Sequence, residues 1–303
     1  MHSARYEFYR DVRTMLRLLK HELLTDKFPP SDTHNDGARI LRRGLSVSAF
    51  SLLECYLEDR LEELTAELSR CCLNYSDFGE KLQKFLTVDA LLGLGTRINF
   101  EKKSSRQRLV ESFLPRIAGY ALNPPLYTAI GFSPKGSNVS KDDIKAVLSA
   151  LGREDAWNEL GGLARLIGSS RISLDNDYSN LASTRHSAAH DSSTNIPTSD
   201  LQSHLESIIV IGITFDVLAT TLVKSHQKAK SKSDLPIRLT SLNFPFRFLD
   251  EQVNGKWYER RGGSTRTIKA YASEPEARLG ATRRRGGAFV ILRDPRQIPM
   301  ELI

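Results

Sequence analysis

The chain has 303 residues, 40% hydrophobic and 26% charged, a balance ordinary for a soluble globular protein with one large core or two domains. Its net charge of +7 is unevenly placed: Lys224 to Ile303 holds 17 of the 43 basic residues but only 8 of the 36 acidic ones. Met1 to Arg10 lacks the apolar core of a signal peptide, which favours the cytoplasm, and three cysteines with no disulfide or zinc spacing read as reduced thiols.

Residues 4–26 carry Phe8, Tyr9, Val12, Leu16, Leu19 and Leu23 at helical spacing, and Lys27-Phe28-Pro29-Pro30 should end that helix. Caps within Ser31 to Asp36 should open a long helix reaching about Cys72. On it Val47, Phe50, Leu57, Leu61, Leu64 and Leu68 form an apolar stripe that includes Glu54. A carboxylate there needs a partner: it can orient a catalytic Arg or His, pair with a structural Arg, or reach water at the helix edge.

Segments 77–97 and 104–122 read as further helices, the second closed by Asn123-Pro124-Pro125. After a Gly/Pro-punctuated stretch, Ser140 with Asp143 makes a capping box for a helix ending at Gly152, and another helix should cover 154–168.

The next helix, starting near Ser173 or Asp175, holds the one cluster of reactive side chains, Arg185, His186 and His190. A neutral imidazole can take a proton from a ribose 2′-hydroxyl near neutral pH, and a guanidinium can hold the phosphate and its developing charge. Arg185 and His190 lie about 140° apart around a helix, so they suit the two walls of a groove, whereas His186 and His190 stack on one face. That stacking also permits a metal reading, with Asp191 or Asp177 as third ligand. Ser187, however, stands where the zinc-protease His-Glu-x-x-His helix has Glu.

Ser199 with Gln202 should cap a helix to about residue 226 that is apolar on every side through Ile208 to Phe215. The run Ile208 to Val223 is shorter than the roughly 20 residues a bilayer requires and contains Asp216, so a buried helix is expected and no membrane segment. A Lys/Ser-rich linker, 224–234, separates a helical domain, 1–226, from a small basic module, 235–303. That module reads as β-rich, with strands near 244–249, 256–260, 265–271 and 288–292 and an Asn254-Gly255 hairpin turn. Arg283, Arg284 and Arg285 are its candidate substrate-binding residues, and Trp257 and Tyr258 can stack on RNA or form the small core.

The pattern Arg185-His186-Ser187-Ala188-Ala189-His190, lying between two long apolar helices, resembles the HEPN superfamily. Ala38-Arg39-Ile40-Leu41-Arg42-Arg43-Gly44-Leu45, running on to Leu52-Leu53-Glu54-Cys55-Tyr56-Leu57-Glu58, is similar to the opening helices of its RiboL-PSP-HEPN type. The resemblance covers about residues 1–226. It implies a mainly α protein, a HEPN-type helical bundle, here followed by the β-rich module. It further implies a dimeric, metal-independent endoribonuclease without cofactor, commonly a toxin or anti-phage effector, with an antitoxin or sensor protein as a further partner. His190 would be the general base, Arg185 the phosphate binder, His186 the orienter or second proton carrier, and Glu54 an orienting carboxylate. This chain has His186 where Asn or Asp is commoner and Asp191 where Gly often follows the His. A non-catalytic helical module that binds RNA or protein is the rival reading, as is a metalloenzyme.

Overall fold

A computed structural model describes every residue except Met1, His2, Pro30, Asn123 and 135–137, together with all side chains of the described residues but that of Asp32. Pro30 and Asn123, expected as helix-ending residues, therefore lie outside the described residues. The chain is mainly α-helical with one five-stranded mixed sheet near its C-terminus. Its contacts divide it into two units: Met1–Tyr56 with Leu160–Phe215 and Phe244–Ile303, and Leu57–Glu159 with Asp216–Asn243.

In the first unit α1 (Ala4–Leu18) starts on Ser3, whose hydroxyl accepts from the Tyr6 amide, and buries Phe8, Tyr9 and Val12. It ends well before residue 26. A separate turn, Glu22–Leu24, follows, capped by His21 Nδ1 accepting from Leu23 N, and its Leu24 carbonyl is held by the buried Arg42. Helix α2 (Asp32–Leu68) supplies Phe50, Leu53 and Tyr56 to this core. Phe8 stacks on Tyr56 with ring centroids 4.1 Å apart, and Gly212 makes room for both: a Cβ there would lie 2.9 Å from Phe8 and 3.2 Å from Tyr56.

The second unit contains α3 (Glu80–Lys84), α4 (Ala90–Phe100), α5 (Arg106–Ala118) and α6 (Lys141–Ala150). The helix expected over 77–97 is broken by a π-turn at Phe85–Asp89, where Gly131 comes so near that a Cβ would meet the Phe85 carbonyl at 2.9 Å. Helix α6 opens with the expected capping box, Ser140 Oγ accepting from Asp143 N and Asp143 Oδ2 accepting from Ser140 N. Helix α7 (Ala156–Leu166) leads back to the first unit and to α8 (Leu174–His190).

Helix α9 (Thr198–Lys228) is long and apolar enough to cross a membrane by length and composition, but its most apolar window is 89% buried inside the chain, as in the core helix of a soluble protein. Asp216 within it is fully buried and paired with Arg60 at 2.8 Å, and Thr220 Oγ1 donates to it at 2.8 Å. The stretch expected as linker is helical to Lys228, and α10 (Asp234–Thr240) begins at its end.

The sheet runs β3-β2-β1-β4-β5, from β1 (Phe246–Glu251), β2 (Trp257–Arg261), β3 (Thr267–Tyr271), β4 (Phe289–Arg293) and β5 (Pro299–Leu302). Asn254-Gly255 turns β1 into β2, with Gly255 at φ +77. Strands β1 and β4 are parallel, which requires a crossover, supplied by α11 (Glu274–Arg284). Leu249, Trp257, Tyr271, Val290 and Leu292 pack against Ala277 and Ala281 of that helix. Trp257 and Tyr271 thus form core.

Candidate functional site

Helix α8 begins at Ser173, with Asp175 and Asp177 in its first turn where the helix dipole favours negative charge. Leu174, Tyr178, Leu181 and Ala188 face the core, and Tyr178 packs on Phe50 with centroids 5.5 Å apart. The remaining face, near the C-terminal end, carries the reactive cluster. His190 is the last helical residue, because Asp191 turns out of the helix at φ −112 and ψ 112.

Asp191 closes a tight turn. Its carboxylate accepts from the Ser193 hydroxyl at 2.7 Å, the Ser193 amide at 2.8 Å and Thr194 Oγ1 at 3.1 Å. These bonds, the Ser193 hydroxyl first, hold Asp191 below the usual carboxylate range. It is committed to the turn.

His186 and His190 are both exposed and lie with ring centroids 4.7 Å apart at a 46° tilt, as i and i+4 residues should. Arg185 is half-buried, and its Nε is shielded from solvent with no hydrogen-bond partner among the described residues. A donor in that state is ready for an acceptor that the chain itself does not supply. Asp177 pairs with Arg171 at 3.7 Å, and among the described residues no group of three or more His, Cys, Asp or Glu could hold a metal.

Sequence reasoning missed what fixes this end of α8. Arg43, on α2, donates from Nε and Nη2 to the Ala188 carbonyl at 3.0 and 2.9 Å, and from Nη1 to the Ser192 carbonyl at 3.2 Å. Both carbonyls are orphans of a helix end and its turn, so Arg43 works as a helix C-cap brought from another element. Next to it Arg42, only 2% exposed, donates to Asp26 Oδ1 at 3.0 Å and to Asn195 Oδ1 at 2.8 Å, tying the turn after α8 to the segment after α1. The one local signal was the adjacent pair Arg42-Arg43 just before the apolar stripe of α2.

Helix α2 passes α8 so that Arg43 meets Ala188 and Phe50 meets Tyr178. Glu54, half-buried, is eleven residues beyond Arg43, about 16 Å along the axis, toward the other end of α8. The structure does not bring it beside His190. In the C-terminal module Arg283 and Arg285 are exposed, but Arg284 turns inward to the buried Glu259 and to Tyr271. Glu259 also accepts from Arg247 at 2.7 Å and from the Tyr271 hydroxyl at 2.8 Å.

The sequence model of the RiboL-PSP-HEPN family matches residues 10–220. The chain belongs to the RiboL-PSP-HEPN family. Membership in this HEPN-type family points to a nuclease or other RNA-related function, and the matched span includes Arg43, Glu54 and the whole of α8. No curated protein and no solved structure matches the chain.

Proposed function

We propose that this HEPN protein is a metal-independent endoribonuclease whose site is the C-terminal end of α8. The observation that carries the reading is an exposed imidazole, His190, on one short stretch of helix with Arg185, whose Nε has no hydrogen-bond partner among the described residues, in a family tied to RNA. His190 takes the proton of a ribose 2′-hydroxyl. The 2′-oxygen attacks the adjacent phosphorus as the bond to the 5′-oxygen breaks, and Arg185 holds the non-bridging oxygens as charge develops. His186, whose ring lies 4.7 Å from that of His190, orients it or delivers the proton that the departing 5′-oxygen requires. The products are a 2′,3′-cyclic phosphate and a 5′-hydroxyl.

A homodimer completes this proposal. The apolar surface of α9 gives no reason for association, since that helix is buried within the chain. Support comes instead from α1 and α2. Leu18, Leu23, Ile40 and Leu41 are 46–60% exposed around an apolar hollow of about 560 Å³, an exposed cluster of the kind that marks association surfaces. Leu41 and Gly44 of this hollow flank Arg42 and Arg43 in sequence, so a second copy seated there brings its own chain toward the end of α8. Arg283 and Arg285 would add positive charge for RNA.

The cellular role that fits is a cytoplasmic toxin or anti-phage effector, restrained by an antitoxin or sensor protein. The test is cleavage of a defined RNA in excess chelator, with the new ends identified chemically. A 2′,3′-cyclic phosphate and 5′-hydroxyl are expected. RNA bound but never cut, in several substrates and salt conditions, would instead favour a non-catalytic binding module.

A further inference from the structure

The five-stranded sheet has two edges that are treated differently. At β5, Glu301 is paired with Arg13 of α1 at 2.8 Å and with Arg278 of α11 at 2.6 Å, so that edge is engaged by its own unit. At β3 no further strand among the described residues pairs with the outer side, and every residue from Arg261 to Ala270 is exposed. An edge of this kind presents a row of main-chain donors and acceptors able to pair with an added strand.

Its charge is of one sign. From Arg261 to Ala272 the chain contains Arg261, Arg266 and Lys269 and no acidic residue, and among the described residues none of the three cations has an ion-pair partner. Two neighbouring acidic residues have partners of their own: Glu259 is buried under Arg247, Arg284 and Tyr271, and Glu276 accepts from the Ala272 amide at 3.3 Å. Cations along an edge deter pairing with a second copy of that same edge, because like charges would be brought opposite one another. They attract an acidic strand instead. RNA fits the surface less well, since Trp257 and Tyr271 are core residues at 6% and 8% exposure and only the half-buried Tyr258 is left on this sheet for a base to stack on.

We infer that the outer edge of β3 docks an extended acidic segment of a partner protein by strand addition, with main-chain bonds along Thr267 to Tyr271 and ion pairs to Arg261, Arg266 and Lys269. Ile268, 43% exposed, gives the added strand an apolar neighbour on one face. The inference concerns the C-terminal module and is independent of whether α8 cleaves RNA.

The test uses the full chain and a short capped peptide alternating Glu and Val, with amide hydrogen exchange read by mass spectrometry. Two control probes accompany it: the same peptide N-methylated at alternate residues, and a single-stranded RNA oligonucleotide. The peptide is expected to slow exchange across 267–271. The version N-methylated on the pairing side should not, although its charge is unchanged. Arg266→Glu with Lys269→Glu, both exposed positions, should weaken binding by about tenfold or more while leaving the melting temperature unchanged. Peptide binding without protection of 267–271 would overturn the proposal, as would protection by RNA alone or no peptide binding at about millimolar concentration.

Discussion

Arg43 reaches from α2 to the carbonyl oxygen of Ala188, two residues before His190, and grips it with two nitrogens at 3.0 and 2.9 Å. A proton-transfer group needs its position fixed to a fraction of an ångström, yet His190 sits where a helix ordinarily frays. Arg43 supplies the missing restraint. Replacing it by Ala should lower RNA cleavage by about tenfold to a hundredfold, because misplacement rather than loss of the base is at stake. Arg43→Lys should recover part of the rate, since an ammonium reaches one carbonyl but lacks the fork that spans Ala188 and Ser192. Circular dichroism should remain helical in both, and an unchanged rate in Arg43→Ala would show that the restraint does not matter for chemistry.

The buried pair Arg60 and Asp216 gives a prediction about stability. Asp216 is fully buried, and Arg60 also donates to Thr220 Oγ1 at 2.8 Å and pairs with Glu63 at 2.7 Å. Arg60→Ala would leave a carboxylate uncompensated inside an apolar helix, which should cost about 3 kcal/mol or more in urea denaturation. Replacing both, as Arg60→Met with Asp216→Leu, should restore most of that loss. A double variant no more stable than Arg60→Ala would mean that packing, not charge, dominates there.

Stability should also depend on pH through His226. This ring is 2% exposed, its Nδ1 bonded to the Leu222 carbonyl at 2.9 Å and its edge against Phe78, and burial pushes its pKa below the ordinary 6.5. The unfolded chain therefore takes up the proton first as pH falls. Stability from this group is present above 6.5 and is lost as pH drops through that value toward the lower folded pKa. His204, also lowered by burial, acts in the same direction. Thermal melts of His226→Gln and His204→Gln across this range should each show a shallower decline than the parent, and parallel curves would remove the residue from the account.

Much of the fold was legible because it depends on local rules. The Ser140–Asp143 capping box, the Asn254-Gly255 turn and the burial of α9 follow from turn chemistry and hydrophobic period. The end of α1 was not legible, since Leu19 and Leu23 keep helical spacing, whereas the chain tightens at Lys20 and His21 into a separate turn whose Leu24 carbonyl Arg42 holds from across the sequence. Helix α11 was overlooked although Ser273-Glu274-Pro275-Glu276 is a readable start, and short β5 offered little period at all. At the site the cluster on α8 was visible as chemistry. The role of Arg43 was not, because a capping bond from residue 43 to residue 188 has no local signature.

Subunit exchange tests the proposed dimer. Mixing His190→Ala chains with Arg185→Ala chains should restore cleavage if each site draws on both copies, and a charge placed in the apolar hollow, Ile40→Glu, should yield monomers by light scattering. Recovery of neither activity nor association at micromolar protein would confine the site to a single chain.

The central claim is most directly tested by one comparison of parent, His190→Ala and Arg185→Ala proteins on paired RNAs that differ only by a 2′-hydroxyl or hydrogen at the cut position, all in excess chelator. The account predicts cleavage by the parent of the 2′-hydroxyl substrate alone, and none by either variant, with gel filtration and circular dichroism unchanged. Cutting of the 2′-deoxy substrate, or undiminished cutting by His190→Ala, would contradict it.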